Sequence, residues 1–160
     1  MLEAALRFLE PRPRSIFEVR TRLTGAGYQT ALVEGVVTRL MELGMLDDLA
    51  FARAWVESRD RAHPRGQHVL RSELARKGID RETVVEVLEE RADQTVAGAA
   101  SADEAAASRL LARHGSALAR VEDPHKRRQR AYALLARSGF DAETCRALAA
   151  RVVEVAEPDD

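Results

Sequence analysis

The chain has 160 residues, with 25 Lys and Arg against 26 Asp and Glu and a formal net charge of −1. No apolar run approaches the roughly 18 to 20 residues that a membrane crossing requires, and the N-terminus lacks a secretory pattern. The single cysteine, Cys145, excludes a disulfide framework and a thiolate zinc cage. We therefore expect a soluble, cytoplasmic protein.

The composition indicates the fold class. Aromatic residues make up 4% of the chain and hydrophobic residues 46%, so the core must be built mainly from Ala, Leu and Val. A core of these residues is typical of Ala-rich helices rather than of β-sandwiches or barrels. An all-α protein is predicted.

An internal repeat organises the chain. Three segments share a pattern of Leu, three residues, Gly, a large apolar residue and a helical apolar stripe. Glycine can end a helix at low conformational cost because it readily adopts the left-handed conformation. A new helix then begins. The glycines are Gly27, Gly78 and Gly139. Asp80 and Asp141 follow two of them at positions suited to capping the next helix.

Another amphipathic stretch precedes each helix pair, at residues 2–10, 48–62 and 104–114. Each repeat is therefore predicted to have three helices, and because such units are small they should dock on one another in an elongated, curved array. The predicted divisions are repeat one at 1–46, repeat two at 47–91, an Ala-rich joint at 92–103 and repeat three at 104–156. Within the repeats, the breaks after the first helix are marked by Pro11 and Pro13, by Pro64 and Gly66, and by Gly115 through Pro124, because Pro cannot continue a helix.

Local signals predict helix starts and one core position. Ser15 with Glu18, and Ser101 with Glu104, have the spacing of capping boxes. Cys145 lies on the apolar stripe of the last helix, which favours a buried packing role over a reactive thiol.

The sequence contains few residues in patterns typical of metal binding or catalysis. His63 and His68 are five residues apart across a Pro and a Gly, which does not match a helical metal site. Asp47 and Asp48 stand directly before an amphipathic stretch, where capping and a favourable helix-end charge outweigh metal binding or catalysis. No phosphate-binding loop or nucleophile elbow is present. No catalytic, cofactor-binding or metal-binding residue is predicted, and the protein is not expected to be an enzyme.

Clusters of cations are the candidate binding residues. Each cluster is either a solvated helix face or a surface that binds phosphate or an acidic protein. The candidates are Arg59, Arg65, Arg71, Arg76 and Lys77 in repeat two and Lys126, Arg127, Arg128 and Arg130 in repeat three.

The segment from Gly44 to Arg59, GMLDDLAFARAWVESR, resembles the signature of the RecX family, regulators of the RecA recombinase. The residues after it are similar to the family's R-G and L-x-x-E-L-x-x-K-G-I pattern. They are Arg65, Gly66, Leu70, Glu73, Leu74, Lys77, Gly78 and Ile79. With the flanking repeats, the resemblance covers about residues 4–154.

The resemblance implies tandem three-helix repeats and a non-enzymatic protein that lodges in the groove of the RecA filament on single-stranded DNA. It further implies a regulator that limits filament growth or promotes filament loss, and so modulates recombination, DNA repair and the SOS response. Weak direct DNA binding is a secondary implication. We expect a monomer with no membrane partner. The candidate cations listed above are chosen from charge and not transferred from the family.

Two rival functions are open at this stage. A direct DNA-binding protein would use the helices at 30–43, 80–91 and 141–155 as recognition helices, but these carry several Glu residues and suit a phosphate-walled groove poorly. A structural scaffold for another acidic or helical partner also fits the composition. Binding to bare DNA would favour the first rival, and binding to neither DNA nor RecA filaments would favour the second.

Overall fold

The structure is a computed structural model that describes residues 1–94 and 101–154. Over these ranges the chain forms ten α-helices and no strand, which confirms the all-α prediction. The helices are α1 (Leu2–Leu9), α2 (Ile16–Gly25), α3 (Thr30–Glu42), α4 (Asp48–Ala62), α5 (Gln67–Arg76), α6 (Arg81–Asp93), α7 (Ala102–Arg113), α8 (Gly115–Ala119), α9 (Pro124–Arg137) and α10 (Ala142–Glu154). In the described part, no helix is both long and apolar enough to cross a membrane.

The helices follow the predicted three-helix repeats, with one addition. Repeat one holds α1 to α3, repeat two α4 to α6, and repeat three α7, α9 and α10, with the short α8 inserted. Helix α8 lies within the predicted break at 115–124 and was not itself predicted. The buried side chain of Leu118 joins the core of repeat three and so stabilises this single helical turn. It could not be predicted from the sequence because Gly115 and Pro124 indicate a break between helices.

The predicted helix ends are confirmed in detail. Gly27, Gly78 and Gly139 have φ angles of 87°, 77° and 85°, in the left-handed region that side chains disfavour. Asp80 accepts a hydrogen bond from the Thr83 backbone N–H at 2.9 Å, and Asp141 caps α10 in the same way.

The helix starts also follow their signals. Ser15 and Glu18 form the complete capping box, and the Ser101 hydroxyl accepts from the Glu104 N–H at 3.0 Å. Residues 95–100, in the middle of the predicted joint at 92–103, lie outside the described residues.

The described residues pack as two compact units. The first combines Met1–Trp55 with Glu73–Val87, and the second combines Val56–Ser72 with Leu88–Asp160. Because both units take residues from repeat two, the repeat boundaries given above stay a prediction. The first unit contains a core cluster from repeat one: Ala5, Val19, Leu23, Val33, Val37, Leu40 and Leu46. The second contains a cluster from repeat three: Ala106, Ala107, Leu110, Leu111, Leu118, Ala131, Leu135, Phe140, Cys145, Leu148 and Ala149.

Within the first unit, repeat two caps the start of the second helix of repeat one. The Ser15 hydroxyl donates to the Lys77 carbonyl at 2.6 Å, and the Ile16 N–H donates to Asp48 Oδ1 at 2.8 Å. Ile16 is the first residue of α2, where the backbone N–H has no partner inside its own helix. A carboxylate from the next repeat therefore supplies the missing acceptor.

The second unit repeats this arrangement one repeat later. The Gly66 N–H donates to the Ser138 carbonyl at 3.0 Å, and the Gln67 N–H donates to Asp103 Oδ2 at 2.9 Å. Gln67 is the first residue of α5, as Ile16 is of α2. We call these two interfaces between consecutive repeats the two joints. Each uses one carboxylate from the first helix and one carbonyl from the glycine turn of the following repeat.

The glycine turns themselves are in close contact at both joints. A Cβ placed on Gly78 would lie 2.3 Å from Phe17 Cβ, and one placed on Gly139 would lie 2.2 Å from Val69 Cγ2. Contacts this short leave no room for a side chain. Glycine is therefore needed at both positions for its φ angle and for the close approach of the preceding repeat.

The two adjacent aspartates accept hydrogen bonds from the starts of two different helices. Asp47 accepts from the Ala50 N–H at 2.9 Å and so caps α4, as predicted. Asp48 lies in the first turn of α4 but also reaches the start of α2, a partner that the sequence did not predict. Burial raises the pKa of Asp48, and the hydrogen bond from Ile16 acts in the opposite direction.

Candidate partner-binding surface

The densest run of cations lies on α9, in the second unit. Residues 124–140 contain five Lys and Arg residues and no Asp or Glu. Asp123 caps the helix, its carboxylate accepting from the His125 N–H at 2.8 Å and the Lys126 N–H at 3.3 Å. The cap fixes where the helix begins, and the acid-free sequence makes it a positively charged surface element.

Two exposed rows run along α9. Lys126, Arg130 and Arg137 are spaced i, i+4 and i+11, which places them on one helix face over about 16 Å. Arg128 and Tyr132, at i and i+4, occupy another exposed face. Arg137 and Tyr132 were not among the predicted residues. The helical spacing from Lys126 could have identified Arg137, whereas an exposed tyrosine has no signal in the sequence.

A cleft lies between the end of α9 and the start of α5. It has a volume of about 540 Å³, and Arg71 and His68 of α5 face Phe140 across it. The cleft thus brings a predicted cation of repeat two next to repeat three. Two carboxylates, Asp103 and Asp141, also line it, so its charge is mixed rather than purely cationic.

Lys77, another predicted binding residue, is held by contacts inside the first unit. Its Nζ lies 2.8 Å from Glu18 Oε1 and 5.0 Å from the centre of the Trp55 ring. Burial alone raises the pKa of Glu18, but hydrogen bonds from Arg12, Lys77 and the Ser15 backbone lower it to about 2. These contacts make Lys77 part of the joint between repeats one and two.

Arg65 and Arg127 also have internal contacts. The Arg65 guanidinium donates to Ser138 Oγ at 3.5 Å, with its Nε buried and without a hydrogen-bond partner. Arg127 Nε donates to the Val121 carbonyl at 3.0 Å. Both side chains are half-buried, as is that of Arg59, whereas the remaining predicted cations are exposed. These are Arg71, Arg76, Lys126, Arg128 and Arg130.

Arg91, a cation with several part-buried hydrogen bonds, was not singled out in the sequence. Its side chain is only 8% exposed and makes a two-pronged contact with Asp60, at 2.8 and 3.0 Å. It also donates to Asp103 at 2.6 Å and to the Arg65 carbonyl at 3.3 Å. Because Asp103 caps α5, Arg91 connects α4, α5, α6 and α7 through one guanidinium.

Across residues 1–94 and 101–154, no group of three or more His, Cys, Asp or Glu side chains is placed to hold a metal ion. Cys145 is buried, as predicted, and burial raises the pKa of its thiol, which keeps it protonated and unreactive.

Comparison with protein families agrees with this architecture. The family model for the first three-helix domain of RecX matches residues 2–40, and the model for the second three-helix domain matches residues 47–88. Solved structures have the same fold. The crystal structure of RecX from Lactobacillus salivarius superposes with a TM-score of 0.71 at 18% identity, covering 96% of this chain and 94% of that one.

Sequence similarity extends along most of the chain. The regulatory protein RecX of Chlorobium phaeobacteroides (strain BS1) is 33% identical over 90% of this chain and 87% of its own length. The regulatory protein RecX of Thermobifida fusca (strain YX) is 34% identical over 86% of this chain and 70% of its own length. The two matched three-helix domains and these long alignments show that the chain belongs to the RecX family of regulatory proteins.

Proposed function

We propose that this chain binds the RecA nucleoprotein filament on single-stranded DNA and limits its extension or promotes its disassembly. In this role it modulates recombination, DNA repair and the SOS response in the cytoplasm. Membership of a regulatory family carries the proposal, because the alignments cover 87% and 70% of the length of the two relatives named above. No ATP chemistry is required, since a protein that binds one filament state more tightly shifts the population toward that state.

The cations of α9 support this proposal. Lys126, Arg130 and Arg137 form a row on one face of a helix that contains no acidic residue. Such a row suits either DNA phosphates within a filament or acidic patches on the recombinase. Repeat two adds Arg71, which is exposed beside the end of α9. We therefore assign the filament contact to α9 and the adjoining first half of α5.

The rival function, direct recognition of DNA by α3, α6 and α10, has less support. Two acidic side chains on these helices pair with cations, Glu34 with Arg20 at 2.7 Å and Glu86 with Arg53 at 3.4 Å. Each pair is neutral overall, so neither provides the positive charge that attracts the phosphates lining a DNA groove. Binding to bare DNA through α9 is a separate outcome of the experiment below.

The test reverses charge on α9. In a RecA ATPase assay on single-stranded DNA, the double variant Lys126→Glu/Arg130→Glu should inhibit about tenfold less potently than the natural chain, since two contacts become repulsive. Circular dichroism should show unchanged helix content, because both side chains are exposed.

The matched control is Arg81→Glu/Arg146→Glu, which makes the same change in net charge at exposed cations outside the proposed contact. It should inhibit as the natural chain does. Equal inhibition by all three proteins would remove α9 from the contact. Equal loss in both variants would indicate bulk charge rather than a defined surface.

A further inference from the structure

Repeat one carries the same docking groups that repeats two and three use toward their preceding repeats. Gly27 has a φ of 87° and follows the Ala26 carbonyl, just as Gly78 follows that of Lys77 and Gly139 that of Ser138. Glu3 is the second residue of α1, as Asp103 is of α7, and Asp48 is the first residue of α4. The carboxylate, carbonyl and glycine of the two joints therefore have counterparts in repeat one.

In repeat one the glycine is uncovered, and Glu3 is solvent-exposed and paired with Arg7 of its own helix at 2.6 Å. No heavy atom lies within 4 Å of the position that a Cβ on Gly27 would occupy, whereas Gly78 and Gly139 have neighbours at 2.3 and 2.2 Å. The residue after the glycine differs accordingly: Tyr28 is 37% exposed, but Ile79 is 5% and Phe140 6% exposed. We call Glu3, Ala26, Gly27 and Tyr28 the Gly27 face.

We propose that the Gly27 face binds the first turn of an α-helix of a partner protein. The two internal joints define the chemistry of this ligand. Its first backbone N–H donates to a carboxylate, and its cap residue is small and donates to the carbonyl before the glycine. A side chain of its first turn packs on the glycine, as Phe17 and Val69 do.

A second copy of this chain does not supply the ligand. The starts of α2 and α5 are already capped within each copy. The remaining second-helix start, that of α9, begins with Pro124, which has no N–H to donate to a carboxylate. Asp123 of the same chain already accepts from the next two backbone N–H groups.

Helices α1, α3 and α8 follow Met1, Gln29 and His114, which are not small cap residues. The starts of α4, α6, α7 and α10 are capped by Asp47, Asp80, Ser101 and Asp141 of the same chain. Because no described helix start matches the ligand, we assign it to a different protein.

This inference rests on the proposed function, which makes a helix exposed on the recombinase filament the partner. A photoreactive benzoylphenylalanine in place of Tyr28 should crosslink to the recombinase in assembled filaments, within the first turn of a helix. The same group in place of Met41, another exposed residue of the first unit, is the control and should not crosslink. A crosslink to a second copy of this chain, to the middle of a helix or to DNA would overturn the inference.

A binding measurement separates the inference from the proposed function. Tyr28→Arg should weaken filament binding about tenfold, whereas Met41→Arg should leave it within about twofold, with equal thermal stability. Because both variants add a positive charge, a loss confined to Tyr28→Arg is not caused by weaker attraction to DNA. If the natural chain and both variants bind equally, the inference fails and the proposed function stands. If the natural chain does not bind filaments, both fail.

Discussion

Asp48 accepts a hydrogen bond from the Ile16 backbone N–H at 2.8 Å, so the carboxylate at the start of one repeat satisfies the first turn of a helix in the repeat before it. Asp103 does the same for Gln67 one repeat later. Repeat proteins depend on such nearest-neighbour interfaces because each unit is too small to be stable alone. In both joints, therefore, an aspartate of one repeat accepts a hydrogen bond from the first backbone N–H of a helix in the preceding repeat.

The first prediction concerns Asp48. Its pKa is raised by burial, so its ionisation opposes folding while its oxygen provides a needed acceptor. Asp48→Asn keeps an acceptor without the charge and should change the unfolding free energy by less than about 1 kcal/mol, whereas Asp48→Ala should cost about 1–3 kcal/mol. Urea denaturation at neutral pH measures both. Equal losses would show that the hydrogen bond to Ile16 contributes nothing.

The second prediction separates two roles of glycine. Gly27→Ala should cost about 1 kcal/mol from its positive φ alone. Gly78→Ala has a similar φ and also overlaps Phe17 Cβ, so it should cost at least about 1 kcal/mol more. Gly25→Ala, inside α2 with open space around it, is the control and should be neutral or stabilising. A Gly78→Ala loss no larger than that of Gly27→Ala would contradict the close contact between repeats.

The third prediction concerns the buried ion pairs of Arg91. Arg91→Ala removes the cation that Asp60 and Asp103 share, although Asp60 keeps Arg109 at 3.7 Å, so the variant should destabilise the protein by about 3 kcal/mol. Arg7→Ala removes a fully solvated pair with Glu3 and should cost less than about 1 kcal/mol. Chemical denaturation compares the two variants, and similar small losses would show that the Arg91 cluster is not a structural centre.

The fourth prediction is a pH dependence at the joint between repeats one and two. Glu18 has a pKa of about 2, below its ordinary value of 4.5, because of hydrogen bonds from Arg12, Lys77 and Ser15 that outweigh burial. A lowered folded pKa stabilises the protein above pH 4.5, and this stabilisation is lost as the pH falls toward 2. The difference in unfolding free energy between the natural chain and Glu18→Gln should therefore be constant near neutral pH and shrink toward pH 2. A pH-independent difference would contradict the assignment.

The sequence predicted most of the local structure because the relevant signals are short-range. Left-handed glycines, a capping box at Ser15 and an N-cap at Asp141 depend on residues within one turn of each other. The resemblance to RecX rested mainly on the motifs between Gly44 and Ile79, together with the flanking repeats, and was confirmed. The repeat pattern located nine of the ten described helices, and the exception, α8, is a single turn held by one buried leucine.

Contacts between distant residues were beyond what the pattern predicts. The bond from Ile16 to Asp48 spans 32 residues, and that from Gln67 to Asp103 spans 36. Charge alone could not distinguish an exposed cation such as Arg130 from Lys77, which lies in a joint, or identify Arg91 as the centre of a buried cluster. The candidate set chosen from charge therefore mixes exposed residues with residues that join the repeats.

The most direct test of filament regulation compares two titrations of the natural chain. One follows RecA ATPase on single-stranded DNA, and the other follows binding of the chain to the same DNA without RecA, at the same salt concentration. The account predicts inhibition at protein concentrations well below those that occupy bare DNA and below one chain per recombinase. Inhibition that begins only where bare DNA is already coated would contradict it and indicate simple competition for DNA.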